Sequence, residues 1–305
     1  MRIAFIDTLC ELAAADPRIW LLTGDLGYGV LERFRDRFPD RFVNAGVAEQ
    51  NMTGVATGLA LSGAVVFIYS IANFPTFRCL EQVRNDVSYH RANVKIVTVG
   101  GGFAYGSHGY THFGIEDLAV MRVLPNMTVV APGDPVETRL ATRAVADWAG
   151  PCYLRLGRGG EVKVHQAEPD FKIGKAITVR KGKDVTLIST GGMLGIALQA
   201  AEALSAQKYS AHVLSMPTLS PLDQEAVLAA ARATGKIVTV EEHGLGGLGS
   251  AVAQVLAEAG CPAKFISLHV QRKTIDSIGT QEALLSSHGL DRAGLVAACL
   301  KLLQG

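Results

Sequence analysis

The sequence has no excess of charge of either sign: 29 Lys and Arg stand against 28 Asp and Glu, a formal net charge of +1. With no basic run either, the electrostatic footprint of a nucleic-acid surface is missing, so no nucleic-acid partner is expected. No apolar run is long enough to cross a bilayer, and no membrane partner is expected. The opening stretch MRIAFIDTLCELAAADPRIW lacks a basic segment followed by an unbroken apolar core, because Asp7 and Glu11 interrupt it. A cytoplasmic protein is the expectation. Cysteine is sparse, odd in number and scattered (Cys10, Cys79, Cys152, Cys261 and Cys299), which argues against a disulfide framework or a Cys-based zinc site. No short-period repeat or low-complexity tract breaks the chain.

What is present points to a packed α/β protein. Hydrophobic residues make up 49% of the chain and charged residues 19%, enough apolar surface for a sizeable interior. At 305 residues the prior is two domains. Short apolar or β-branched runs read as strands covered on both faces: WLLTGD, AVVFIYS, NVKIVTVG, MTVVAP, CYLRLG, DVTLIST, SAHVLSM, KIVTVEE and AKFISLH. Between them lie helical stretches such as EQNMTGVATGLALSG, RCLEQVRNDVSYH, PVETRLATRAVADWA, GMLGIALQAAEALSAQ and SAVAQVLAEAG, with Gly, Pro, Ser or Asp at most of their ends. This alternation predicts mainly parallel sheets. One long polar stretch with weak periodicity reads as a linker with a lead-in hairpin at 163–182, dividing a first domain, 1–162, from a second, 183–305. In the second domain DVTLISTGG and IVTVEEHGLGGLGSAV run from strand through Gly-rich turn into helix; such turns bind anions or simply allow close packing.

Four segments of the first domain carry more: TGDLGYG, NAGVAEQNMTGVATGLALSG, YSIANFPTFRCLEQVRND and VGGGFAYGSHGYTHFGIEDLAVMRVLPNMTVVAPGD. In this order and spacing they resemble the pyrimidine-binding domain of the transketolase family. The resemblance continues through GPCYLRLGR to TVEEHGLGGLGSAVAQVLAE, similar to the family's C-terminal domain, and so covers nearly the whole chain. It implies a thiamine diphosphate pyrimidine-binding domain with a mainly parallel sheet, followed by a transketolase C-terminal-like domain.

The resemblance also assigns roles. Glu49, in AGVAEQNM, falls where the family places the glutamate facing the cofactor's aminopyrimidine ring. A carboxyl group bonded to ring N1′ favours the tautomer whose 4′ nitrogen can take the thiazolium C2 proton. Read without the resemblance, Glu49 is an acidic residue at a helix N-terminus, favoured by the macrodipole. Phe74 aligns with the aromatic residue on which the family stacks the pyrimidine, and Phe77 could share that pocket or belong to the core. The segment GSHGYTHFG matches the family's GEDGxTHQ, making His112 a catalytic and substrate-binding histidine. His108 stands where transketolases acting on sugar phosphates usually carry an aspartate, and Gly100 or Gly101 where they often carry a donor-binding histidine. The His108–His112 spacing suggests metal only weakly, since Gly109 disfavours a shared helix and no third ligand is near. Arg158, better than Arg155, matches a phosphate-contacting arginine; a salt bridge between domains or subunits is the alternative. Glu116 and Asp117 read as helix-start acids, and His243 as a structural histidine.

The family's diphosphate site needs a GDG motif with a later Asn, and no GDG triplet occurs here. The resemblance therefore implies half a cofactor site. Thiamine diphosphate would be shared with an N-terminal, diphosphate-binding subunit that also carries the Mg²⁺ ligands, in an α2β2 assembly. The implied reaction is transfer of a two-carbon ketol unit from a ketose or ketose phosphate to an aldehyde. Alternatives are an enzyme like 1-deoxy-xylulose-phosphate synthase, the beta-type subunit of a 2-oxo-acid dehydrogenase, or a non-catalytic regulatory subunit.

Overall fold

The computed structural model describes residues 1–271 and 275–304. The first half contributes β1 (Ile19–Thr23), β2 (Phe42–Asn44), β3 (Val65–Ile71), β4 (Val94–Val99), β5 (Thr128–Val130) and β6 (Cys152–Leu156). The second contributes β7 (Ile177–Arg180), β8 (Val185–Ser189), β9 (Ala211–Ser215), β10 (Thr218–Ser220), β11 (Lys236–Val240) and β12 (Lys264–Leu268). They form a seven-stranded sheet, ordered β10-β5-β6-β4-β3-β1-β2, and a five-stranded one, ordered β12-β11-β8-β9-β7. All pairings are parallel except β10 with β5 and β7 with β9. Every strand candidate read from the sequence appears.

Parallel strands need crossovers, and the helices that supply them cover both faces. The central strand β4, VKIVTV, is buried at every position, as is all but the last residue of β3. Each fully buried Val, Ile or Leu there contributes roughly 1.5–3 kcal/mol relative to exposure. Three strands, β2, β7 and β10, are not among the sequence candidates. β7 lies inside the stretch read as linker, and β10, from the second half of the chain, completes the first half's sheet by pairing antiparallel with β5.

The linker is also pinned. Asp134 caps helix Pro135–Asp147 by accepting from Glu137 N, with Pro135 pre-set in the first turn, while Glu137 reaches back to accept from Gly133 N at 2.6 Å. The second oxygen of Asp134 accepts from Val164 N and His165 N, both at 2.9 Å, and His165 Nε2 lies 2.8 Å from Glu137. One cap thus fixes both a crossover helix and the chain leaving the first domain. Among the described residues no helix is long and apolar enough to cross a membrane.

In a parallel sheet the loops after the strand C-terminal ends are where ligands gather. Here β1, β2, β3, β4 and β6 are neighbours, and just past their ends lie Gly24, Glu49, Phe74, His108 with His112, and Arg158.

Candidate active site

Glu49 opens helix Glu49–Leu61, close behind β2. The path to it is fixed by Asn44, whose Oδ1 accepts from Asp25 N and Gly46 N while its Nδ2 donates to Asp25. These bonds tie the ends of β1 and β2 together. Glu49 is 5% exposed, its Oε1 accepts from Arg78 Nη1 at 2.8 Å, and its Oε2 has no partner among the described residues. This second oxygen is not sealed from solvent, so water can satisfy it and a ligand can take the place of that water.

Phe74 begins the segment after β3. The sequence predicts one continuous helix over RCLEQVRNDVSYH. Instead the chain makes a wide π turn at Phe74–Arg78, a short α turn at Leu80–Gln82 and a second π turn at Val83–Ser88. Pro75, which lacks an N–H, sits in the first of these, and π turns concentrate at functional sites. The π turn sets Arg78 over Phe74, with its Cζ 3.8 Å from the ring centroid. Phe77 points elsewhere: it is 44% exposed and makes no ring contact among the described residues.

Behind Phe74 stand the histidines. The His112 ring meets Phe74 edge-on at 5.4 Å and His108 at 4.9 Å. They sit on separate 3₁₀ turns, Gly106–His108 and Tyr110–His112, divided by Gly109 at φ 76. Burial pushes the His112 pKa below the ordinary histidine value, and the neighbouring His108 and Arg78 push the same way. Its Nδ1 bonds Thr111 Oγ1 at 2.9 Å, which leaves Nε2 for another partner. No group of three His, Cys, Asp or Glu able to hold a metal occurs among the described residues. Tyr105 joins the row, meeting His108 edge-on at 5.6 Å, and carries the exposed Arg158 over its ring at 4.6 Å. Glu49, Arg78, Phe74, His112, His108, Tyr105 and Arg158 therefore form one continuous wall.

Arg78 and Tyr105 were not singled out from the sequence. The signal for Arg78 was its position four residues after Phe74, which brings the two side chains together on a helical turn.

The other candidates belong to a different cluster. Arg155 is buried, donating from Nε to Asp117 Oδ2 at 2.9 Å and from Nη2 to the carbonyls of Gly114 and Glu242. Tyr153 also donates to Asp117 Oδ2, and the Glu242 carboxylate accepts from Phe103 N and Gln281. His243, fully buried, accepts at Nε2 from Leu118 N and Ala119 N, and its Nδ1 lies 2.9 Å from the Gly244 carbonyl. It is therefore a neutral histidine protonated on Nδ1, and burial holds its pKa down to about 4. Glycines make this closure possible. A Cβ on Gly101 would lie 2.3 Å from Arg155 Nε, and one on Gly100, at φ 79, 2.1 Å from the Tyr105 ring. A histidine fits at neither position, which gives the departure noted in the sequence a packing cause.

Residues 1–160 match the family described as "Transketolase, pyrimidine binding domain", and residues 174–295 match "Transketolase, C-terminal domain". The chain is 38% identical to an apulose-4-phosphate transketolase subunit of Phocaeicola vulgatus over 99% of its own length and 97% of that protein. It is 39% identical to the 6-deoxy-6-sulfo-D-fructose transketolase subunit SqwH of a Clostridium species, over 98% and 92%. Among solved structures, a split-gene transketolase described as an inactive beta4 tetramer superposes with a TM-score of 0.92 at 41% identity, covering 99% of this chain and 98% of that one. The chain belongs to the transketolase family, as the subunit carrying the pyrimidine-binding and C-terminal domains of a split, thiamine diphosphate dependent transketolase.

Proposed function

We propose that this chain acts with a separate diphosphate-binding subunit to move a two-carbon ketol unit from a ketose to an aldehyde, and that the wall from Glu49 to Arg158 is its half of the active site. The observation that carries this is the Glu49 side chain: almost wholly buried, with one oxygen unpaired, and joined through Arg78 to the face of Phe74. That pairing of a proton-holding acid with a flat apolar face fits an aminopyrimidine ring. Thiamine diphosphate, when bound, supplies the electron sink that makes cleavage of a carbon–carbon bond accessible.

Each residue has a task in this reading. Glu49 holds a proton at the pyrimidine N1′. Phe74 offers a ring for offset stacking, worth about 0.5–1.5 kcal/mol beyond burial. His112, its pKa lowered, is neutral at pH 7 and can give or take a proton at a substrate hydroxyl. His108 and Arg158 lie further along the wall and suit an anionic sugar terminus. In support, two similar proteins are named for sugars ending in phosphate and in sulfonate. Mg²⁺ and the diphosphate fall to the partner subunit in an α2β2 assembly, since the matched domains comprise only the pyrimidine-binding and C-terminal parts.

Calorimetry with thiamine diphosphate and Mg²⁺ tests this. Binding is expected for this chain mixed with a diphosphate-binding subunit and not for the chain alone. Equally tight binding by the isolated chain, or none in the mixture, would remove the shared-site reading.

A further inference from the structure

We propose that Arg78 is a built-in competitor for the pyrimidine position: its guanidinium occupies the space between Glu49 and Phe74, and it must swing out before a pyrimidine ring can enter. The inference rests on the assignment of Glu49 and Phe74 to the cofactor and goes beyond it.

Three observations converge. The guanidinium is a flat, delocalised cation that both stacks on aromatic faces and donates to carboxylates, the two interactions an aminopyrimidine would make here. Arg78 makes both at once, with Cζ 3.8 Å above the Phe74 ring and Nη1 2.8 Å from Glu49 Oε1. No other side chain touches both residues among the described contacts. Finally, exposure is divided unevenly: the Arg78 side chain is 47% exposed and that of Glu49 is 5% exposed. Arg78 therefore lies on top of the acid, on its solvent side, where a ligand would arrive.

Release needs only side-chain rotation. The Arg78 backbone is held independently, its carbonyl accepting from Gln50 Nε2 at 2.9 Å, and among the described residues nothing but Glu49 and Phe74 engages the guanidinium. The arrangement shields Glu49 until a better-fitting ring competes for it. Apparent cofactor affinity is then reduced by the fraction of molecules in which Arg78 is out of the way.

The test compares thiamine diphosphate binding, by calorimetry with Mg²⁺, in the two-subunit assembly containing wild-type chain, Arg78→Ala or Arg78→Gln. Both variants are expected to bind about five- to tenfold more tightly, from the loss of a half-exposed ion pair and a cation–π contact. Arg78→Lys, which keeps the charge without the plane, should fall between them and the wild type. Equal or weaker binding by both Ala and Gln variants would overturn the proposal and make Arg78 a support for the cofactor. Failure of the wild type and all variants to bind would instead remove the cofactor assignment, and this inference with it.

Discussion

Two clusters in this chain use the same residue types to opposite ends. In the wall from Glu49 to Arg158, an acid, two arginines and two histidines line an open face, with a carboxylate oxygen unpaired and contacts that are mostly face and edge packing. In the cluster of Asp117, Arg155, Glu242 and His243, every residue is buried and the strong donors end on carboxylates or carbonyls, while Asp117 Oδ1 is sealed in without a hydrogen-bond donor. Burial without exit makes the second a clasp between the two halves of the chain. The first lies past the ends of the parallel strands, where ligands gather. Residue type alone therefore says little; what separates the two clusters is whether the side chains open to solvent, where a ligand can reach them.

Substitutions should break the two clusters in different ways. The largest effect is expected for Glu49→Gln, which keeps the shape and removes the acid. Turnover of the assembled enzyme should fall by about 10²- to 10⁴-fold, while the urea midpoint of the chain barely moves. Normal turnover would move the proton-holding role elsewhere. Arg155→Met should do the reverse, leaving the buried Asp117 without its positive partner at a cost of about 3–5 kcal/mol, read from denaturant unfolding. A loss below about 1 kcal/mol would mean that the clasp contributes little.

The third effect is a pH dependence. His243 has a folded pKa depressed to about 4 against an ordinary 6.5, so the unfolded chain binds the extra proton first. Its contribution is complete above about 6.5 and is lost as pH falls toward 4, to a total on the order of 3 kcal/mol. The neighbouring Glu241, raised by burial to about 7, acts with the opposite sign, losing stability as pH rises through that value. His243→Gln retains an acceptor for Leu118 and Ala119 and leaves Glu241 in place. Wild type minus variant stability should therefore decline across pH 6.5 to 4, and a flat difference would show that His243 does not titrate in this range.

Much of this was legible in the sequence because it is local. Strand runs such as AVVFIY announce themselves by unbroken apolar character, and Asp134-Pro135 followed by Glu137 marks a helix start by capping chemistry. The order of motifs around Glu49, Phe74 and His112 pointed to the family for the same reason: each is a short segment bound to one strand end. Phe77, an aromatic in the same segment, could by sequence share the pocket of Phe74 or belong to the core. The π turn that separates them follows from how this segment packs, and no periodicity reveals it.

By itself, then, the sequence determined the α/β alternation, the helix caps and the loops that hold the candidate site residues, since neighbours along the chain dictate these. Tertiary structure alone decided that β10 would complete the other half's sheet, that Gly101 must be bare for Arg155 to close the clasp, and that Arg78 would settle on Glu49, 29 residues away. Those outcomes depend on which strand ends become neighbours after the crossovers pack, and that choice is made by the buried faces collectively, with no single segment encoding it.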